Sequence, residues 1–231
     1  MAKVDVYCRY CHQSKQIKGH GNGNGRHPRY RCYSCCKVFQ LEYTYQACKS
    51  SVKEQIVDIA MNNGGVRHTA RILKVATTTV MKTLKKLTPR HVTTLPLEGK
   101  NIQLICEIDE QWSFVGNKQH QRWLWYAWEP RLKRTVAHVF GFRSRNTLDK
   151  LLTLLSPFNI QFYCTDNYAA YDTLPMKKHL PGKTFTQRIE RTNLAHRIRI
   201  KKLNKKTIGY SKSVEMYDKV IGTFIEREHY F

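Results

Sequence analysis

The sequence predicts an α+β protein of several domains: a small metal-bound module, then three helices, then a mixed α/β domain. Three observations predict this order. Six of the eight cysteines lie in the first 48 residues, apolar residues recur at helical spacing in the next segment, and strand-like runs follow from residue 102 onward. The 231 residues are enough for one large domain or for two to three small ones.

The charge balance is strongly basic. Lys and Arg total 40 against 17 Asp and Glu, which gives a net charge of +23 at pH 7. Because solubility needs only a few net charges, we expect a polyanionic partner, with nucleic acid favoured. A membrane surface is the weaker alternative, since the basic residues are interleaved with Cys, Tyr and turn residues and do not follow one amphipathic helix.

The cellular compartment follows from what the sequence lacks. No apolar run reaches the roughly 20 residues of a membrane span, and the N-terminus shows no apolar signal segment. We therefore expect a cytoplasmic protein whose cysteines stay reduced, which makes closely spaced cysteines more typical of metal ligands than of disulfides.

Two cysteine pairs predict an N-terminal zinc ribbon. Cys8 and Cys11 form one C-x-x-C pair, and Cys32 and Cys35 form the second after 20 residues that include a glycine-rich loop. Four thiolates on two tight turns are the ligands of a tetrahedral structural Zn²⁺. Its binding would stabilise a module too small to build much core. Cys36 could take the place of Cys35, and scattered buried cysteines are the simpler alternative.

The next segment predicts three helices. The first begins at Ser50, and the sequence Asn62-Asn63-Gly64-Gly65 ends it. A second, short helix starts at Val66, a turn follows at Lys74-Val75-Ala76, and Thr77 begins the third. The short second helix, the apolar turn residue and the threonine-rich start of the third helix indicate a helix-turn-helix.

The third of these helices is the expected DNA-reading element. Its N-terminal residues would meet base edges in the major groove, and its lysines would meet phosphates. An ordinary three-helix bundle with solvated lysines is the alternative. The residues of this segment that we expect at the DNA are Arg71, Thr77, Thr78, Thr79, Lys82, Lys85 and Lys86.

The C-terminal half predicts a mixed sheet. Three strands, a helix and a further strand are the order with which a ribonuclease H-like sheet begins, and this order places the end of the first strand beside the end of the fourth. The first strand would end in Asp109-Glu110 and the fourth in Asp166. The strand-like runs are 102–108, 123–128, 135–140 and 160–164, with an amphipathic helix over 147–155 before the last of them.

A third carboxylate is singled out by its isolation. Glu190 is the only acid between Asp172 and Glu215, a stretch that holds twelve Lys or Arg residues. The run from Thr186 to Lys202 lacks Gly and Pro and predicts a helix. On it Glu190 would share one face with Asn193 and Arg197. A salt-bridged surface residue is one interpretation of Glu190, and a metal ligand is the other.

Phosphodiester chemistry explains why three carboxylates would be needed. Two Mg²⁺ ions activate a water or a 3′-hydroxyl and stabilise the leaving oxygen, and Mg²⁺ prefers hard oxygen ligands. Asp109, Asp166 and Glu190 would hold the two ions, while Arg197 could reach a nearby phosphate. A last helix over 214–228 would pack in the core or form a dimer contact, with core packing favoured.

Several motifs together resemble the insertion element one family of bacterial DDE transposases. The resemblance covers essentially the whole chain, and its most specific parts are Asp109-Glu110-x-Trp112 and Glu190-x-x-Asn193. The other matching segments are Cys8-Arg9-Tyr10-Cys11, Arg31-Cys32-Tyr33-Ser34-Cys35, Val66 to Leu84, Ile108 to Gly116, Thr165-Asp166-Asn167-Tyr168 and Arg188 to Asn193.

The resemblance implies an organisation and an activity. It implies a zinc ribbon over 1–48, a helix-turn-helix over 49–88, a linker over 89–100 and an RNase H-like catalytic domain over 101–231. The expected activity is binding of terminal inverted repeats followed by Mg²⁺-dependent DNA strand cleavage and strand transfer, in a homodimer or larger assembly on the bacterial nucleoid. Asp109, Asp166 and Glu190 would be the triad, assisted by Arg197. Further DNA contacts are expected from Asn193, Arg199, Lys201 and Lys202.

Two other classes of function remain open at this point. A transcription regulator would carry the zinc ribbon and the helix-turn-helix with an inactive sheet domain, and the intact triad argues against it. A structure-selective nuclease or resolvase would use the same metals without strand transfer, and only an assay with a free 3′-hydroxyl end separates the two activities.

Overall fold

The structure is a computed structural model that describes residues 5–23, 26–42, 45–94, 102–204 and 210–230. The chain divides into two compact units, Met1–Val52 and Lys53–Phe231. Parts of the expected zinc ribbon and half of the expected linker, residues 95–100, lie outside the described residues, so the domain boundaries given above stay predictions.

The first unit contains a small antiparallel sheet. Its strands are β1 (Ile17–Asn22), β2 (Pro28–Cys32) and β3 (Val38–Gln40), in that order. The described core consists of only three buried side chains, Cys8, Cys32 and Phe39. So little apolar burial cannot stabilise an independent module, which is the situation in which a structural metal contributes folding free energy.

Three helices follow as the sequence predicts. They are α1 (Ser50–Met61), α2 (Val66–Leu73) and α3 (Thr77–Lys85). The α2 helix ends at Lys74, whose φ of 52° lies in the left-handed region, and the next residue, Val75, is buried in the turn. The segment is therefore helix-turn-helix-like.

The second unit is built on a five-stranded mixed sheet. In chain order its strands are β4 (Leu104–Val115), β5 (Asn117–Glu129), β6 (Arg134–Gly141), β7 (Ile160–Thr165) and β8 (His179–Pro181). Across the sheet they run β6-β5-β4-β7-β8. The β4, β5 and β6 strands pair antiparallel, while β4–β7 and β7–β8 pair parallel. Helix α4 (Arg145–Leu155) connects β6 to β7.

Two strand predictions need correction. The sequence predicts that the first strand ends at residue 108, but β4 continues to Val115 because β5 pairs with it until the hairpin at Gly116, whose φ of 78° favours glycine. The second strand is likewise longer than 123–128. The three-residue strand β8 lacked any alternating pattern and was not predicted.

The two faces of the sheet are covered differently. Helix α4 packs on the face that carries Leu104, Cys106 and Ile108. The opposite face of β4 carries Glu107, Asp109 and Gln111, and helix α5 (Gln187–Arg199) lies against it. Helix α6 (Val214–His229) buries Tyr217 and the six consecutive residues 220–225, as the core interpretation of this segment predicts. None of the helices in the described ranges has the length and apolar character needed to cross a membrane.

Candidate functional site

The four predicted cysteines converge on one point. Cys8 Sγ lies 3.6 Å from Cys35 Sγ, and Cys11 Sγ lies 3.6 Å from Cys32 Sγ. All four sulfur atoms lie within 4.8 Å of one another. A tetrahedral Zn²⁺ with Zn–S bonds of about 2.3 Å requires sulfur atoms about 3.8 Å apart. The cluster therefore has the size and the donor chemistry of a structural zinc site.

Cys36 lies outside this cluster. It is exposed, and its thiol faces the carbonyl of Tyr33 at 3.9 Å. Within the cluster, the backbone N–H of Cys35 makes the largest contribution to lowering the pKa of Cys32 to about 6. Burial and contacts with the neighbouring thiols instead raise the pKa of Cys11 and of Cys35.

The third helix presents one exposed face. Thr77, Thr78 and Lys82 are exposed and Thr79 is half-buried, while Val80 and Leu84 pack inward. Arg71, Lys85 and Lys86 are also exposed. The backbone of Lys85 is nevertheless engaged, since its carbonyl accepts a hydrogen bond from Lys219 Nζ on α6.

Asp109 lies on β4, and Asp166 comes directly after the neighbouring parallel strand β7. Glu107 of β4 pairs with Cys164 of β7, and two residues further along each strand direction come Asp109 and Asp166. Side chains at i and i+2 share one face of a sheet, and neighbouring strands lie about 4.8 Å apart. Asp166 follows the end of β7 directly, and a cavity of 480 Å³ opens beside it, lined also by Asn167, Tyr168, Asp172, Leu174, Met176, His179 and Pro181.

The electrostatics of Asp109 are unusual for a carboxylate. Burial, with the negative charges of Glu110 and Asp166 acting in the same direction, raises its pKa to about 7. The backbone N–H of Glu110 donates to Asp109 Oδ1 at 2.8 Å. An ionised carboxylate under this repulsion would be stabilised by a cation, which is the condition of a metal ligand.

Glu110 points to the opposite face of β4. Its Oε1 accepts from Arg143 Nε at 2.7 Å, and its Oε2 accepts from the hydroxyl of Tyr171 at 2.7 Å. The Arg143 guanidinium also lies over the ring of Tyr168, 4.0 Å from its centroid. Glu110 is therefore held in an interior ion pair and does not share the face of Asp109.

Helix α5 is joined to β4 by a series of polar contacts that sequence reasoning missed. Two residues along a strand advance about 6.8 Å, and one turn of three or four residues along a helix advances about 4.5–6 Å, so each second residue of β4 meets about one turn of α5. The signal was available, because polar residues two positions either side of Asp109 share its face. The contacts are Glu107 Oε2 accepting from the N–H of Ile189 at 2.6 Å, Asn193 Nδ2 donating to Asp109 Oδ2, and Gln111 Nε2 contacting His196 Nδ1 at 3.1 Å.

Glu190 lies one helical turn before Asn193. It is exposed, and among the described residues its carboxylate has neither an ion pair nor a hydrogen bond, although arginines surround it in sequence. The three carboxylates do not form a compact group: in the described ranges, only the four cysteines bring three or more possible ligand atoms within 4.8 Å. Arg197 is half-buried, and its Nε has no hydrogen-bond partner there.

The other expected DNA contacts of the C-terminal half have different environments. Lys201 is exposed, and Arg199 is exposed but forms an ion pair with Glu228 at 2.9 Å. Lys202 is turned inward: its Nζ donates to Asn63 Oδ1 at 3.3 Å, and burial lowers its pKa. Asn193 is buried, with its amide bonded to Asp109, Gln111 and Tyr126. Lys202 is thus half-buried and Asn193 is buried, and the DNA-contacting roles expected of them stay predictions.

Two family models match this chain. The model described as IS1 transposase matches residues 103–231, and the model described as InsA C-terminal domain, a helix-turn-helix model, matches residues 43–87. The first match covers the sheet, α5 and α6, and the second covers the three-helix segment. A single polypeptide therefore carries regions similar to InsA and to InsB-type proteins.

Individual relatives agree with the family models. The insertion element iso-IS1n protein InsB of Shigella dysenteriae is 54% identical over 129 residues, which cover 55% of this chain and 98% of that protein. Insertion element IS1 InsB proteins of Escherichia coli and Haemophilus ducreyi are each 46% identical over 148 residues, which cover 64% of this chain and 89% of those proteins.

A solved structure of a simian T-cell lymphotropic virus intasome with PP2A regulatory subunit B56 gamma also matches, at 13% identity and a TM-score of 0.34. The match covers 71% of this chain and 74% of the other, but so low a score carries no argument about the fold. The sequence relatives decide the family. Because the IS1 transposase model spans more than half of the residues, the chain belongs to the IS1 transposase family.

Proposed function

We propose that this protein recognises the terminal inverted repeats of an insertion sequence and carries out Mg²⁺-dependent DNA strand cleavage and strand transfer. The observation that carries the proposal is that Asp109 of β4 and Asp166, directly after β7, each lie two residues beyond the paired residues Glu107 and Cys164 of these parallel strands. The sheet order, with a helical crossover before β7, supports an RNase H-like domain. Membership of a transposase family supports polynucleotidyl transfer as the chemistry.

Asp109, Asp166 and Glu190 are the residues that would hold two Mg²⁺ ions. Their carboxylates are the hard donors that Mg²⁺ prefers. The raised pKa of Asp109, and a Glu190 carboxylate that forms no ion pair with any residue the structure describes, support a cation as their common partner. When bound, the metals supply activation of the attacking water or 3′-hydroxyl and charge stabilisation at the leaving oxygen.

Arg197 would position DNA at this site. Its Nε is buried without a hydrogen-bond partner among the described residues, and a buried donor of this kind fits a phosphate oxygen. On the same helix, Glu190 lies two turns earlier, so α5 would present a carboxylate and a guanidinium along one stretch of the backbone of the DNA.

Recognition of the ends would rest on the N-terminal half. The exposed face of α3 would enter the major groove, with Thr78 and Lys82 near base edges and Lys85 and Lys86 at phosphates. Zn²⁺ held by the four-cysteine cluster would stabilise the first unit. Because two element ends must be joined to one target, the working assembly would contain at least two copies of the chain.

The test is joining of a labelled oligonucleotide, which carries one element end with a free 3′-hydroxyl, to plasmid DNA in Mg²⁺. Asp109→Asn, Asp166→Asn and Glu190→Gln should each abolish joining while binding to the end stays normal. Asp149→Asn, an exposed acid on α4, is the matched control and should remain active. Cleavage without joining would indicate a nuclease, and binding with neither reaction would indicate a regulator.

A further inference from the structure

The amide of Asn193 has a fixed orientation. Its Oδ1 accepts a hydrogen bond from the hydroxyl of Tyr126 at 2.8 Å and a second from Gln111 Nε2. With its oxygen engaged by two donors, the amide must turn its NH₂ group toward Asp109 Oδ2, and that hydrogen bond is present. A metal-binding Asp109 is ionised and accepts hydrogen bonds only, so a donor at this position is what the carboxylate requires.

The orientation of Gln111 is in turn set by two histidines. Gln111 Nε2 contacts His196 Nδ1 at 3.1 Å, and His196 Nε2 contacts His229 Nε2 at 3.1 Å. Burial lowers the pKa of His196 to about 3, which keeps the ring neutral with a single N–H. If Gln111 donates to Nδ1, that N–H lies on Nε2 and donates to His229. The Gln111 amide nitrogen therefore donates in two directions, to Asn193 Oδ1 on the side of Asp109 and to His196 Nδ1 on the side of His229.

We propose that Asn193, oriented by Gln111 and Tyr126, is a positioning residue that holds the Asp109 carboxylate in the plane needed for metal binding. This inference rests on the proposed function of Asp109 as a metal ligand. The last torsion of an Asp side chain has a broad minimum, so two donors are needed to fix the plane: Asn193 at Oδ2 and the N–H of Glu110 at Oδ1. Each oxygen keeps one lone pair for a cation.

The burial of Asn193 is consistent with a positioning role. The side chain is 8% exposed and lies between β4 and α5. Mutation of a group that orients a metal ligand through a hydrogen bond typically lowers the metal affinity by about 10–100-fold. Replacing Asn193 should therefore change how strand transfer depends on the metal concentration and should leave the affinity of the protein for element ends unchanged.

The experiment compares Asn193→Ala with wild type in two measurements on the full chain. Mn²⁺ binding without DNA, followed by titration calorimetry, should weaken by about 10–100-fold. The Mg²⁺ concentration for half-maximal strand transfer should rise by a similar factor, with much of the maximal rate recovered at high Mg²⁺. Thr192→Ala is the matched control, because its hydroxyl bonds only to the carbonyl of Arg188 on the same helix.

A purely structural role for Asn193 would lower the amount of folded protein without moving either metal dependence. Gln111→Met provides a second route if Asn193→Ala does not fold, since it removes one of the two donors that orient Asn193 and should give a smaller shift in the same direction. Unchanged Mn²⁺ affinity in folded variants would overturn the proposal. Full activity of Asp109→Asn would instead overturn the proposed function, so the two failures are distinguishable.

Discussion

Lys202 donates a hydrogen bond from Nζ to Asn63 Oδ1 over 3.3 Å, which joins the segment after α5 to the turn between α1 and α2. A second polar contact supports the same junction, since Arg227 Nη1 pairs with Asp58 Oδ1 at 2.8 Å. The helices that would read DNA and the sheet that would carry the chemistry thus belong to one compact unit.

Lys202 and its neighbour Lys201 should therefore behave differently when replaced by Ala. We expect Lys202→Ala to lower stability by about 1 kcal/mol, because it removes a partly buried hydrogen bond, and to lower the thermal midpoint by a few degrees. Lys201→Ala should leave the thermal midpoint unchanged. It should lower the slope of log binding constant against log salt concentration by about one, as expected for the loss of one phosphate contact. Calorimetry and salt-titrated binding test both, and a loss of DNA affinity in Lys202→Ala at normal stability would contradict the assignment.

The exposed face of α3 predicts that Thr78 contributes more to specific DNA binding than Thr79 does. Thr78 is exposed and Thr79 is half-buried, so Thr78→Ala should weaken specific binding by about 1–3 kcal/mol and relax the preference at one base pair, while Thr79→Ala should do less. Thr83→Ala is the control, because its hydroxyl bonds to the carbonyl of Thr79 within the helix. Equal binding by Thr78→Ala and wild type at the specific site would rule out α3 as the reading element.

The ion pair of Glu110 with Arg143 predicts a large stability effect close to the site. The Glu110 side chain is 2% exposed, and that of Arg143 is 41% exposed. Removing Arg143 leaves a buried carboxylate uncompensated, and for this partly exposed pair we expect Arg143→Ala to cost about 1–3 kcal/mol. The Glu110→Gln/Arg143→Ala double variant should lose less than the two single losses together. Additive losses in urea unfolding would show that the two side chains are not coupled.

Much of the fold could be predicted from sequence because its signals are local. The start of α1 at Ser50, the turn at Lys74 and the end of β7 before Asp166 all follow from caps, turn residues and apolar spacing. The end of β4 could not be predicted in this way. It is set by pairing with β5, and the polar residues beyond Asp109 hide the strand pattern.

The candidate site likewise combines residues that local sequence signals identify with contacts that only the tertiary structure determines. Isolation in a basic helix singled out Glu190, and strand ends singled out Asp166. The contacts around Asp109 depend on which helix covers β4, and that is a tertiary property. The resemblance assigns Asn193 and Lys202 to DNA, and no local pattern indicates the hydrogen bonds that Asn193 makes with Asp109 and Lys202 makes with Asn63.

The cysteine cluster predicts a sharp contrast between adjacent residues. Cys35→Ala should remove one of four ligands, release zinc and unfold the small first unit, because its described core has only three buried side chains. Cys36→Ala should keep the metal, since that thiol lies outside the cluster. Zinc content by elemental analysis of protein purified without chelator decides the matter. If Cys36→Ala loses zinc while Cys35→Ala keeps it, the fourth zinc ligand is Cys36 and not Cys35.

The raised pKa of Asp109 predicts how stability depends on pH. The value of about 7 in the folded chain lies above the ordinary 3.8. Between these pH values the folded protein keeps a proton on Asp109 that the unfolded chain has released. The destabilising contribution of this carboxyl is therefore absent below pH 3.8, grows as the pH rises toward 7, and stays constant above it.

Asp109→Asn removes that contribution and should raise the thermal midpoint relative to wild type in buffer without divalent metal. The difference should be smaller at pH 5 than at pH 8, where it reaches its full size, because only the wild type gains a desolvated negative charge beside Glu110 and Asp166 as the pH rises. The neutral buried histidines are common to both proteins and cancel in the comparison. Adding Mg²⁺ at pH 8 should narrow the difference, since a bound cation stabilises only the wild type. A midpoint difference that is independent of pH would show that Asp109 titrates normally and would remove the electrostatic reason for placing a metal there.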